Sequence, residues 1–270
     1  MSAEPISWEA AVVWLRNQPD QAELVRACFY DDPLRDAAER YYASTEWQAV
    51  RALAGSRRGT ALDLGAGRGI SSYALARDGW RVSALEPDPS NVVGAGAIRA
   101  LAQEANLDIR VEQKWGESLP YPDATFDLVH GRQVLHHARD LKQLCREAAR
   151  VLKPGGLFIA TREHVISRKE DLPEFLASHP LHKMYGGENA YLLDEYLDAI
   201  RGGGLTLSKV FNPYQSDINL FPKTTMDLKK ELARHLHLPA FMVPDFLLRR
   251  LGEKNDTPGR LYTFVGRKHG

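Results

Sequence analysis

The sequence predicts an α/β fold: a parallel sheet with helices on both faces, behind a helical N-terminal block. Three observations carry that prediction. From Thr60 onward, short apolar runs of strand character alternate with longer stretches of helical spacing. Such alternation calls for parallel strands joined by helical crossovers. The first of these runs leads directly into a glycine-rich turn, and the chain before Gly55 shows helical patterns only.

In chain order, Ser7 is placed to cap a first helix carrying Ala10, Val13 and Trp14 at helical spacing, which Pro19 then breaks. Further helices are expected over about 21–30, 34–42 and 45–53. This block is rich in rings (Trp8, Trp14, Phe29, Tyr30, Tyr41, Tyr42, Trp47), which suit either packing against the next domain or a lid over an active site. After the breaker at 55–59, strands are expected at Thr60–Leu64, Arg81–Leu85, 109–113, 126–130 and 157–161. Helices between them are expected at 71–77, 90–105 and 140–152. A helix at 192–200 ends at Gly202-Gly203-Gly204, and strands follow at Leu205–Phe211 and 261–265. Residues 165–190 and 213–259 break the alternation, the latter with helical patterns at 226–235 and 244–251. The expected organisation is therefore a helical cap (1–55), a core (56–164), an insertion (165–190) and a returning part of the core (191–270) interrupted at about 213–259.

Lys+Arg and Asp+Glu both number 35, and 44% of residues are hydrophobic. A neutral total offers no broad field for a polyanion, which disfavours a nucleic-acid partner. Only Cys28 and Cys145 occur, too few for a disulfide framework or a thiolate cluster. The start MSAEPISWEA is acidic, unlike a signal peptide, and no apolar run approaches the ~20 residues that span a bilayer. A soluble, cytoplasmic protein without membrane partners is expected.

The turn reads Asp63-Leu-Gly65-Ala66-Gly67-Arg68-Gly69-Ile70. Glycines here permit positive φ and let backbone N–H groups approach a ligand at a helix N-terminus. A dinucleotide fingerprint starting at Gly65 would need glycine or alanine at position 70, where Ile70 stands.

With these residues the chain resembles the class I S-adenosylmethionine-dependent methyltransferases, the small-molecule type with a ubiquinone-methyltransferase-like core. The resemblance implies a Rossmann-like seven-stranded methyltransferase sheet. It rests on the glycine loop, on Glu86 after the second strand, on the run from Leu119-Pro120 to Asp127 before the fourth strand, and on the stretch from Arg150 to Gly156 entering the fifth. It implies S-adenosylmethionine as cofactor, with Asp63, Gly65, Ala66, Gly67, Gly69, Glu86, Pro87, Trp115, Gly116, Glu117 and Gly131 around it and the Glu86 carboxylate on both ribose hydroxyls. Many relatives carry an acid after the third strand for the adenine amino group; Trp115 stands there instead, suited either to stacking on adenine or to surface packing. A nicotinamide-dependent oxidoreductase, a nucleic-acid methyltransferase and a non-enzymatic binding module share the architecture and remain alternatives.

Methyl transfer is an in-line displacement on carbon, so the protein must align the acceptor and accommodate its proton, for which histidine is suited at neutral pH. Open α/β sheets bind ligands beyond the carboxyl ends of their strands. At the expected ends of the fourth and fifth strands lie His130, Arg132, Gln133, His136, His137, Arg162, Glu163 and His164, and the insertion adds His179, His182, Lys183, Tyr185, Glu188 and Asn189. These residues predict O-methylation of a polar small molecule such as a sugar, a carboxylate or a phosphorylated metabolite. His136, His137, His164 and Arg132 are the catalytic candidates. Gln133, Glu163, His179, His182, Tyr185, Glu188, Asn189, Tyr41 and Tyr42 are the substrate-binding candidates. Gln133, His136 and His137 would share a face if a helix began there. Their placement is similar to the Glu-x-x-Glu-His metal ligands of ubiquinone-type and small-RNA O-methyltransferases, with both glutamates replaced. That similarity implies a divalent metal on His136, His137 and His182, of a kind that imidazole favours over magnesium. The other reading has His136 and His137 as base and hydrogen-bonder without metal.

Overall fold

The computed structural model describes residues 6–185 and 187–269, without the side chain of Lys183. The chain start up to Pro5, Gly186 of the expected Gly186-Gly187 breaker and the Lys183 cation lie outside the described residues.

Four helices come first: α1 (Trp8–Arg16), α2 (Ala22–Ala27), α3 (Leu34–Ala43) and α4 (Thr45–Ala54). Ser7 caps α1 by accepting from the Ala10 amide at 3.2 Å, and Ser44 caps α4 by accepting from Trp47 at 3.1 Å. The alternating region follows as β1 (Thr60–Leu64), α5 (Ile70–Arg77), β2 (Arg81–Leu85), α6 (Ala95–Glu104), β3 (Ile109–Glu112), β4 (Phe126–Arg132), α7 (Leu141–Val151) and β5 (Leu152–Ile166). The insertion contributes α8 (Leu172–Ala177) and α9 (Pro180–Tyr185). The chain then runs β6 (Tyr191–Leu192), α10 (Leu193–Gly202), β7 (Leu205–Phe211), α11 (Asp217–Leu220), α12 (Thr225–Leu236), α13 (Asp245–Glu253) and β8 (Arg260–Lys268).

The sheet order is β3-β2-β1-β4-β5-β8-β7, with the two-residue β6 beside β5. The expected seven strands are thus joined by one short eighth. Strands β1 to β5 pair in parallel, and β8 runs antiparallel to both β5 and β7. Leu62, Leu64, Val129 and Phe158 pack with α7 and α10 on one face, and Ala61, Leu128 and Ile159 pack with α3, α4 and α5 on the other. Burial on both faces is why the inner strands read as continuous apolar runs. No helix among the described residues is long and apolar enough to cross a membrane.

Two departures from the sequence reading position the site. Helix α6 starts at Ala95 rather than 90, because the Ser90 hydroxyl accepts from the amides of Val92 and Val93 and holds a turn there. Strand β5 runs well past the expected 161, with Arg162 at φ +59° and a register shift against β8 between Ala160 and Glu163. That bulge sets Glu163 and His164 at the ligand-bearing end of the sheet.

Candidate active site

At the end of β1, Gly65, Gly67 and Gly69 all have positive φ (+62°, +54° and +85°), which confines these positions to glycine at little strain. A Cβ at Gly65 would stand 2.2 Å from Val134 Cγ2, whereas one at Gly67 meets nothing within 4 Å. The loop is therefore tight on its Val134 side and open at Gly67. Glu86 faces that opening from the end of β2. Its carboxylate accepts from the Gly67 amide at 2.8 Å and the Asp88 amide at 3.0 Å. Burial drives its pKa up from 4.5 to about 7, against the pull of those two N–H groups.

Arg68, which sequence reasoning passed over, is 6% exposed. Its guanidinium donates to the carbonyls of Phe29 (2.8 Å), Asp31 (3.0 Å) and Val92 (2.9 Å) and pairs with Asp32. The glycine loop is thereby tied to the N-terminal helical block. Nothing in the local pattern distinguishes this arginine from a solvated one.

One cavity of about 700 Å³ joins this region to the strand ends beyond it. Gly65, Ala66, Gly67, Glu86, Pro87, Trp115, Gly116 and Glu117 line one part of it. Trp115 is 54% exposed, with the Arg139 guanidinium 4.6 Å from its ring centroid. Asp63, Gly69 and Gly131 sit behind the lining. Asp63 is buried beneath the loop, accepting from the Ser72 hydroxyl and facing Nδ1 of His130, itself fully buried in the sheet.

The other part of the cavity is lined by Arg132, Gln133, His136, His137, His164, His179, His182, Tyr185 and Glu188. Glu188 is the centre of this group. Its carboxylate lies 3.2 Å from Nε2 of His136, 3.8 Å from Nε2 of His182 and 3.9 Å from Nε2 of His137. The opposite nitrogens are held by acceptors. Nδ1 of His136 meets Glu163 at 2.7 Å, and Nδ1 of His164 donates to the Gly259 carbonyl at 2.8 Å. Nδ1 of His137 faces the Gly187 carbonyl at 3.3 Å. Glu163 does not line the cavity. It lies behind it, also accepting from the amides of Val134 and His136, so it fixes the turn that carries His136. Burial opposes charge on His136, but its bonds to Glu163 and Glu188 prevail and raise its pKa to about 9. Burial and the His136 charge lower His137 to about 4, and burial lowers His164 and His182.

Several expected placements need correction. Tyr41 is fully buried between Phe29 and Trp47, and Tyr42 packs edge-on to Tyr73 under Arg51 and Arg77, so neither reaches the cavity. Helix α3 spends these rings on the interdomain core, while Trp8, Cys28 and Tyr30 from the earlier segments line the cavity instead. Asn189 stands beside Tyr191, outside the lining. No helix starts at Gln133: it has φ +55°, residues 135–137 form one 3-10 turn, and α7 begins at Leu141. The shared face assumed for Gln133, His136 and His137 does not form. Arg132 is engaged by Glu46, at 2.6 and 3.1 Å.

A methyltransferase domain family model matches residues 62–160. The chain is 32% identical over 179 residues to a ubiquinone biosynthesis O-methyltransferase of Methylobacterium sp. (strain 4-46), covering 65% of this chain and 69% of that protein. Among solved structures it is similar to geranyl diphosphate C-methyltransferase from Streptomyces coelicolor A3(2), with TM-score 0.58 and 17% identity over 98% of this chain and 89% of that one. It is also similar to an S-adenosylmethionine dependent methyltransferase from Mesorhizobium loti, with TM-score 0.54 and 22% identity over 84% of this chain and all of that one. The chain belongs to the class I S-adenosylmethionine-dependent methyltransferases.

Proposed function

We propose that this methyltransferase acts on an oxygen of a polar small molecule, with a histidine of the Glu188 cluster taking the acceptor proton. The observation that supports this reading best is the single cavity running from Gly67 and Glu86 to the histidines. Cofactor and acceptor can therefore meet in line within one enclosure. In this reading the glycine loop, Glu86 and Trp115 hold the cofactor, while 1–55 and 165–190 cover the acceptor. Oxygen as the acceptor atom agrees with the name of the Methylobacterium relative. A polar acceptor agrees with five histidines and Glu188 in the lining, which offer hydrogen-bonding groups at the acceptor end of the cavity.

His137 is the group best placed to receive the proton. His136 is engaged at both ring nitrogens and its side chain is 1% exposed. His137 lies beside it, with ring centroids 4.2 Å apart, Nδ1 on the Gly187 carbonyl and a side chain 35% exposed, which gives the proton a route to solvent. The acceptor oxygen bonds to the methyl carbon as the carbon–sulfur bond breaks, and sulfur keeps the electron pair. A screen of hydroxylated polar metabolites for release of S-adenosylhomocysteine tests the proposal. Methyl transfer to oxygen that falls at least about 100-fold in His137→Ala agrees with it, and transfer only to nitrogen or carbon contradicts it.

A further inference from the structure

We infer that His136, His164 and Glu188 form a binding site for a divalent transition metal that opens into the acceptor half of the cavity, an inference that rests on the proposed oxygen methylation for its chemical role. Their ligand atoms all lie within 4.8 Å of one another, and all three residues line the cavity. Two donors about 2.1 Å from one ion stand about 3.0 Å apart at an octahedral angle and about 3.4 Å apart at a tetrahedral one. His136 Nε2 and Glu188 Oε1 are separated by 3.2 Å, within that interval.

The surroundings of the three are those a metal centre needs. A ligating imidazole is oriented by an acceptor on its other nitrogen, which fixes the tautomer and leaves a lone pair for the ion. Glu163 does this for His136 at 2.7 Å, where the ion would replace the proton that Nε2 shares with Glu188, and the Gly259 carbonyl does it for His164 at 2.8 Å. These partners come from β5 and from the turn before β8, both fixed by sheet pairing. His182 adds a flanking imidazole, its Nε2 3.8 Å from the same Glu188 oxygen. The set differs from the one the sequence resemblance implied: the ligand atoms that cluster belong to His164 and not to His137, whose Nε2 lies 3.9 Å from Glu188, Gln133 lies off any shared helix face, and the carboxylate comes from the insertion.

Two imidazoles and one carboxylate favour zinc, iron or manganese over magnesium and leave positions open for an exogenous ligand. A metal held there would make an acceptor hydroxyl lose its proton more readily, as zinc does for water. The acceptor class is narrowed accordingly to hydroxyl compounds able to coordinate a metal. His137 would take the freed proton, and the oxygen would displace sulfur from the methyl carbon, sulfur keeping the electron pair.

The test uses the full chain purified without a histidine tag, stripped with chelator and titrated with Co²⁺ alone while its visible absorption is recorded. One-to-one binding with visible ligand-field bands is expected. Glu188→Gln and His164→Ala should each weaken it more than about 100-fold, and Glu163→Gln about 10- to 100-fold. S-adenosylhomocysteine affinity, measured by calorimetry on the same variants, should stay within about threefold and reports that the fold and cofactor half persist. Failure of Co²⁺ to bind, or binding unchanged in both Glu188→Gln and His164→Ala, overturns the metal site while leaving the methyltransferase reading in place. Intact Co²⁺ binding without methyl transfer to any hydroxyl acceptor overturns the oxygen-methylation reading instead.

Discussion

Arg68, set between two glycines of the loop, donates a hydrogen bond to the Phe29 carbonyl at 2.8 Å. One buried side chain thereby joins the glycine turn to the helical block, both of which line the cavity. Removing it strands the carbonyls of Phe29 and Val92. Arg68→Ala is expected to lower stability by about 3 kcal/mol and to weaken S-adenosylmethionine binding as the loop loosens. Denaturant unfolding beside calorimetry checks both, and cofactor affinity equal to the wild type would separate the loop from the block.

On the proposed cofactor placement, Glu86 should make cofactor binding depend on pH. Its pKa in the folded protein, about 7, lies above the ordinary 4.5. Between those values the native chain holds a proton that the unfolded chain has released, so this group's contribution to stability declines as pH rises through that window. If the ribose hydroxyls donate to this carboxylate, as proposed, affinity should rise with pH through about 7 and level off above it. Calorimetry between pH 6 and 8 is expected to show that rise, and Glu86→Gln is expected to flatten it. Glu86→Ala should lose about 10- to 150-fold in affinity, the equivalent of ~1.5–3 kcal/mol.

The glycine loop separates folding from binding. Gly65→Ala places a Cβ 2.2 Å from Val134 Cγ2 at positive φ, so stability should fall by about 2–4 kcal/mol through strain and overpacking. Gly67→Ala meets no neighbour and should cost about 1 kcal/mol, yet it would fill the space assigned to the cofactor in the proposed reading. Thermal unfolding paired with S-adenosylmethionine titration reads the contrast. Wild-type affinity in Gly67→Ala would show that the cofactor does not approach this backbone.

The insertion and the N-terminal helix meet over the cavity. The Ile6 amide donates to the Met184 carbonyl at 3.0 Å, and the rings of Trp8 and Tyr185 lie edge to face at 5.1 Å. Both rings line the cavity. Amide hydrogen exchange in α9 should therefore slow when S-adenosylhomocysteine and an acceptor fill it. Equal exchange with and without them would mean that this cover does not respond to ligand.

The core was legible because its signals are local. Apolar runs at Ala61–Leu64 and Phe126–Val129 bounded by turn residues give buried parallel strands, and Asp63 through Gly69 gives the loop. The enrichment of histidines at one edge was equally visible, since His136 and His137 follow the expected end of the fourth strand and His164 the expected end of the fifth. What the sequence concealed depends on distant chain. Arg68 finds its partners in residues 29–32 and 92, Glu163 and Glu188 grip His136 from opposite sides, and His164 is oriented by a carbonyl at Gly259. Carbonyl acceptors leave no trace in side-chain pattern. The assumed helix at Gln133 failed for a further reason: Gln133 itself, just after β4, has a positive φ, which periodicity does not announce.

The central claim is that cofactor and acceptor share one chamber, with Glu86 at one end and the Glu188 histidines at the other. A crystal structure of the protein with S-adenosylhomocysteine measures this directly. The ribose hydroxyls should lie on the Glu86 carboxylate, the backbone of Gly67 against the ligand, and the sulfur open toward His136, His137 and His164 with no side chain between. A sulfur walled off from those histidines, or a ribose held away from Glu86, would contradict it.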